Sequence, residues 1–331
     1  MYATLIAAAA LWGAVTGLLV PRPAYRLTVE PEQAWRSTCS GGHPLTGPAR
    51  GWLGAARCRP CAGAPRGAHA TTPDGTASAS PTRGDTVPPP TRGDTVPPPT
   101  RGDTVPPPTR GDTVPPAPTR GDTAPSAPPR ASAAPPKPSR RSAAPPPAVH
   151  LLPSRAVPAV TALACAGLAL ATGPRPELAV WLLLTPFAVL LALVDLGVHR
   201  LPDQVTLPLA GAAAGLLGVA ALLPGHAGTW PSALLGGLTL GAGYFALFLV
   251  NPSGLGFGDV KLALSLGVVL GWYGWRTLLA GAFAGFLFGA VYGVGLILSG
   301  RANRRSAIPF GPFMIGGALA GVLLGAAAAR A

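Results

Sequence analysis

Two short stretches of this chain place acidic residues where acidic residues are costly. One is Gly254-Leu255-Gly256-Phe257-Gly258-Asp259-Val260-Lys261, in which Asp259 follows alternating glycines at the mouth of an apolar run. The other is Val194-Asp195-Leu196-Gly197-Val198-His199-Arg200-Leu201-Pro202-Asp203, at the end of another apolar run. A carboxylate at the edge of hydrocarbon costs about 2.5–3.5 kcal/mol even on insertion scales, so it is rarely left there without a task. If the two helices bring Asp195 and Asp259 together, like-charge repulsion keeps one carboxyl protonated while the other stays ionised. Such a pair can activate a water and protonate a leaving amide nitrogen. Gly256 and Gly258 would leave room for a substrate backbone to approach Asp259 and permit turns that other residues resist. The bland reading of Asp259 is a helix cap after a flexible loop, and Asp203 reads more readily still as the N-cap of a helix running from Val205.

The elements that must hold these residues are membrane helices. The chain has 331 residues, of which 44 are Gly and 42 are Pro, too many for an ordinary globule, and a mean hydropathy of +0.38. Only four of its 12 acidic residues, Glu177, Asp195, Asp203 and Asp259, lie outside the stretch from Pro21 to Arg155. At about 20 apolar residues per crossing, spans are expected at residues 1–20, 156–171, 178–194, 205–223, 230–250, 260–271, 278–298 and 308–328. The predicted fold is therefore an all-α polytopic membrane protein of about eight transmembrane helices. The run from Val260 is short; it either begins with Asp259 buried in protein or is completed by residues 272–275. Gly and Ala on the helix faces allow close contact where lipid supplies no hydrophobic drive.

Four segments follow in order. Residues 1–20 form the first span; residues 21–70 form a polar module containing Cys39, His43, Cys58 and Cys61. Residues 71–149 repeat a nine-residue unit, Thr82-Arg83-Gly84-Asp85-Thr86-Val87-Pro88-Pro89-Pro90, and residues 150–331 are the seven-helix membrane domain. The repeat has one aliphatic residue per unit, too little burial to offset the entropy of ordering, and reads as a long disordered linker. Its Arg-Gly-Asp needs no ligand, because a reiterated tripeptide in a low-complexity repeat arises without one. The stretch from Pro21 to Arg155 carries 17 basic against 8 acidic residues. Beside membrane spans, positive charge sets topology rather than marking nucleic acid, which is not an expected partner. With alternating spans, the long loop, His199 and Arg200, Lys261, and Arg301, Arg304 and Arg305 fall on one side, which the positive-inside rule makes the cytoplasm. Both acidic motifs face that side.

At these residues the chain resembles the type IV prepilin peptidase family, intramembrane aspartyl proteases that share Gly-x-Gly-Asp with presenilin. The resemblance is carried by Asp195 with Leu201-Pro202-Asp203 and Leu207-Pro208, by Gly256-Phe257-Gly258-Asp259-Val260-Lys261-Leu262, and by Ile308-Pro309-Phe310-Gly311-Pro312 before a last helix. It covers residues 149–328, and more loosely 1–62. It implies that Asp195 and Asp259 are the catalytic dyad, with Gly256, Gly258, Asp203 and Lys261 shaping the site. It implies prepilin or pseudopilin substrates cut after a glycine in the leader, at the cytoplasmic face of a multi-pass protein of the cell membrane whose other partner is membrane lipid. Family members that also methylate the new N-terminus use S-adenosylmethionine and carry a zinc-binding insert with two Cys-x-x-Cys pairs. Here Gly42 stands where the second cysteine of the first pair belongs, next to His43. The expected metal set is thus Cys39, His43, Cys58 and Cys61, a Cys₃His structural zinc site. Cleavage requires no cofactor, S-adenosylmethionine enters only if methylation is retained, and no residue is assigned to it. Loss of zinc is expected to leave cleavage intact, since the dyad lies elsewhere. The other classes open to such a bundle are a proton- or cation-coupled transporter using the same carboxylates and a non-catalytic scaffold of a secretion apparatus.

Overall fold

The structure is a computed structural model that describes residues 2–29, 33–39, 42–54, 61, 156–252, 254–301 and 308–331. The nine-residue repeat and Cys58 lie outside the described residues. Among those described there is no strand; besides a single turn at Pro48–Gly51 the helices are α1 (Tyr2–Leu19), α2 (Pro21–Leu27), α3 (Ala156–Thr172), α4 (Glu177–Val198), α5 (Asp203–Ala221), α6 (Trp230–Val250), α7 (Phe257–Gly271), α8 (Trp275–Leu298) and α9 (Gly311–Ala328). Six spans, the first running from Tyr2 to Leu27, are long and apolar enough to cross a membrane, and Ala156–Thr172 is a shorter apolar helix. This is an all-α polytopic membrane protein. The expected spans match these helices to within about four residues at each end. The helix α2 was not expected: it runs on through Pro21 and Pro23, which its first turn tolerates because N–H groups there have no intrahelical partner.

The 15 residues of α7 rise only about 22 Å, less than the hydrocarbon thickness. Its shortness is accommodated because it is the core of the bundle. Ten of its residues are buried, Asp259 among them, and it packs on α5, α6, α8 and α9. Of the two readings of this run, the one that starts it at a protein-buried Asp259 holds.

Glycines set how closely these helices approach. A Cβ on Gly267 of α7 would lie 2.5 Å from the carbonyl oxygen of Gly236 and 2.8 Å from the Cα of Gly237, both on α6. Gly317 of α9 meets the backbone of Gly281 and Gly285 of α8 in the same way. Backbone cannot step aside as a side chain can, so a methyl there must separate the helices. Gly215 of α5 has nothing within 4 Å of a Cβ. Gly267→Val should therefore destabilise the bundle by about 1–3 kcal/mol, whereas Gly215→Ala should be neutral or mildly stabilising. Thermal melts of the detergent-purified variants check this, and equal melting temperatures for the two would contradict the packing.

Candidate functional site

The C-terminal end of α4 and the N-terminal ends of α5, α7 and α9 meet at one end of the bundle, around a cavity of about 530 Å³. Asp195 and Asp259 both line it. The helices that carry them are not packed along each other; α5 and α9 each pack against both and hold them across the cavity. Asp195 is 4% exposed and Asp259 8%, and the charge of Asp195 is felt at Asp259.

Each carboxylate has one oxygen fixed by a backbone N–H at the start of a helix. Asp259 is the third residue of α7, and its Oδ2 accepts from the N–H of Gly256, just before the helix, at 3.2 Å. The capping reading of Asp259 is thus partly met: it reaches back to the helix start while facing the cavity. Asp195 Oδ2 accepts from the N–H of Gly311, the first residue of α9, at 2.9 Å. Pro312 has no N–H, and those of Phe313 and Met314 are bonded to Phe310 O. Gly311 therefore supplies the donor this helix start has to spare, and the positive end of α9 points at a carboxylate. A hydrogen bond to a charged group contributes about 1.5–3 kcal/mol, enough to offset much of the cost of placing Asp195 here. Its own helix closes at His199, in the left-handed region at φ 53°, whose N–H bonds to Asp195 O at 2.8 Å.

Two expectations for neighbouring residues are corrected. Asp203 caps no helix: α5 starts at Asp203 itself behind Pro202, and no side chain caps it. Asp203 is free to pair instead with Lys261, whose Nζ lies 2.5 Å from its Oδ2 and 4.7 Å from the centre of the Phe257 ring. That pair ties the α4–α5 turn to α7 across the mouth of the cavity. Neither Gly256 nor Gly258 uses a left-handed backbone. Gly258 lines the cavity beside Gly256, and Leu201 lies 3.1 Å from where its Cβ would be, so it also brings the two acidic motifs together. Sequence reasoning gave no role to Gly311, although its Pro-Phe-Gly-Pro setting marks a helix start. Nor did it single out Tyr244, which is buried against Phe286 and against Phe310, the latter lining the cavity. Glu177 lies at the far end of α4, where its Oε1 accepts from the N–H of Ala227 at 3.2 Å.

The polar module brings three of its four expected ligands together. Cys39 Sγ, His43 Nδ1 and Cys61 Sγ lie 3.4–3.6 Å from one another. Ligands at about 2.0–2.3 Å from a tetrahedral zinc are separated by about 3.3–3.8 Å, so the set fits that ion. A turn closed by Cys39 N–H to His43 O and Gly42 N–H to Cys39 O, with Gly42 at φ 77°, presents the first two.

Fold and site together define a class, the helical membrane protein with a carboxylate pair in a cavity at one end of the bundle. The type IV leader peptidase family matches residues 182–294, which include both aspartates. Leader peptidase HopD of Salmonella typhimurium is 36% identical over 146 residues, 42% of this chain and 86% of that protein. The prepilin leader peptidase/N-methyltransferase of Aeromonas salmonicida is 39% identical over 137 residues, 40% of this chain and 45% of the relative. That of Bacillus subtilis is 35% identical over 100 residues, 29% and 38% of the two chains. The chain belongs to the type IV leader peptidase family. It spans about half the length of the Aeromonas relatives it matches, and no solved structure matches it.

Gly311 lies beyond the matched segment, and its role can be tested separately. A Cβ there would sit 2.7 Å from Asp195 Oδ2 and 3.2 Å from its Cγ, so Gly311→Ala must push the carboxyl aside. If the pair cleaves a peptide leader as proposed below, the variant should accumulate and melt like the parent yet cleave about a hundredfold more slowly, the usual penalty for a misplacement of about 1 Å. An unchanged rate would contradict the assignment.

Proposed function

We propose that the chain is an aspartic endopeptidase that removes the leader from prepilin-like proteins at the cytoplasmic face of the cell membrane. The observation that carries this reading is the convergence of Asp195 and Asp259 on one cavity, each with an oxygen fixed by a backbone N–H. The ionised member of the pair takes a proton from a water as that water attacks the scissile carbonyl. The protonated member gives its proton to the amide nitrogen as the C–N bond breaks, so the pair ends with one proton, as it began. Fixed orientation suits this work, because neither carboxyl must reorganise as charge develops. The relative of which the chain covers 86% is named a leader peptidase, without methyltransferase, which supports cleavage as the activity here. The cytoplasmic placement rests on the basic residues that flank this end of the bundle, Arg200, Lys261 and Arg301 among them. Cleavage needs no cofactor in this scheme.

Cys39, His43 and Cys61, with Cys58 as the fourth ligand, would hold a structural zinc, which when bound would cross-link the polar module and take no part in hydrolysis. Residues 71–149 would act as a linker.

Two outcomes check these readings. Asp195→Asn and Asp259→Asn should each abolish leader removal on coexpression with a prepilin, read by gel shift, while the protein stays in the membrane; near-wild-type processing by either would sink the dyad. Protein purified without chelator should carry close to one zinc per chain, and His43→Ala should lower that occupancy. Metal analysis that finds no zinc would refute the site.

A further inference from the structure

The end of α4 is supported from a side that the dyad geometry does not use. Thr28 closes α2 and is 1% exposed. Its hydroxyl donates to Ala24 O at 2.6 Å, which fixes the side chain and sets its methyl against Gly197, two residues beyond Asp195. A Cβ on Gly197 would lie 2.7 Å from Thr28 Cγ2 but 3.4 Å from its Oγ1 and 3.7 Å from its Cβ. Only the methyl is too close. Around this contact, Val20, Ala24 and Leu27 pack with Leu190, Leu193 and Val194 in an apolar cluster of their own, distinct from the main core. Val194 adjoins Asp195 in the chain. The α2 helix therefore bears directly on the turn that carries the carboxylate.

We infer that Thr28 is a positioning residue for Asp195, acting through the contact of its methyl with Gly197. This rests on the peptidase reading. A bulkier group at residue 197 must lift α2 from α4, tilt the last turn of α4, or break the hydrogen bond from Thr28 to Ala24 O so that the methyl turns away, and the β-branched side chain held by that bond resists the last of these. Tilting takes Asp195 away from the Gly311 N–H, now at 2.9 Å, and hydrogen bonds weaken steeply once distance and angle depart from their optimum. The chain leading into the polar module is seated against the helix that carries Asp195. Arg22 and Arg26 of α2 bond to Leu53 O and Arg50 O of the module, so displacement of one is felt by the other.

The geometry supplies its own rescue. Thr28→Ser keeps the hydroxyl bonded to Ala24 and removes the one atom that a methyl on residue 197 would strike. Four full-length proteins in detergent decide the matter: wild type, Gly197→Ala, Thr28→Ser and the double variant, each assayed on a prepilin leader peptide with Asp195→Asn as the blank. Gly197→Ala should lose about tenfold or more in kcat with KM within about twofold, and addition of Thr28→Ser should recover most of that loss. A wild-type kcat for Gly197→Ala, or a loss that Thr28→Ser leaves unrelieved, overturns the inference. If Gly197→Ala does not accumulate, Thr28→Ser decides alone: reduced kcat at unchanged KM and melting temperature supports the contact, and a wild-type kcat overturns it. In every one of these outcomes wild type cleaves and the blank does not, so the peptidase reading stands apart. No cleavage by wild type overturns both.

Discussion

Two carboxylates are held at the end of a membrane bundle by hydrogen bonds from helix starts, and the rest of the structure depends on that arrangement. Gly256 N–H serves Asp259 and Gly311 N–H serves Asp195. A carboxylate removed from water must recover its lost hydration from nearby donors, and a helix N-terminus offers donors and a favourable field at once. Here the two donors come from different helices, α7 and α9. The distance between the carboxylates is therefore set by how helices are packed and not by any local loop.

That dependence gives the glycines their meaning. Within lipid there is little hydrophobic drive between helices, so closeness has to come from the absence of side chains. Gly236, Gly237 and Gly267 bring α6 onto α7, and Gly281, Gly285 and Gly317 bring α8 onto α9. The helices bearing the dyad are treated differently: α5 and α9 separate them, leaving the 530 Å³ cavity. Close packing of α6 on α7 and of α8 on α9, with the two acidic helices spaced apart, lets a dry bundle keep an open site. The Asp203–Lys261 ion pair and the Gly258–Leu201 contact then join the two acidic motifs where that site meets its surroundings.

Much of this was legible in the chain. Apolar runs bounded by charges located the spans, the alternation of spans put Asp195 and Asp259 at one end, and the short run from Val260 left two readings, of which the structure keeps the one with Asp259 buried in protein. What was hidden was the identity of partners distant in sequence. Asp203 after Leu-Pro has the local pattern of a helix cap, and only the position of Lys261, 58 residues on, shows why it is not. Gly258 gives no sign in sequence that Leu201 lies against it. Gly197 and Thr28 carry no pattern at all, since a threonine after a short helix and a glycine near a helix end are each unremarkable alone. The helix α2 had no counterpart among the expected spans, and its prolines at residues 21 and 23 fall where a helix start has no use for an N–H.

The central claim is that Asp195 and Asp259 act as one unit. A peptide analogue with a hydroxyl-bearing tetrahedral carbon in place of the scissile amide mimics the species such a unit stabilises and should bind far more tightly than substrate. Its affinity can be measured on wild type, on Asp195→Asn, on Asp259→Asn and on the double variant, whether or not they turn over. The account predicts that each single change weakens binding about a hundredfold or more and that the double change adds little, as for groups that act together. Single variants that keep wild-type affinity, or losses that multiply in the double variant, would contradict it.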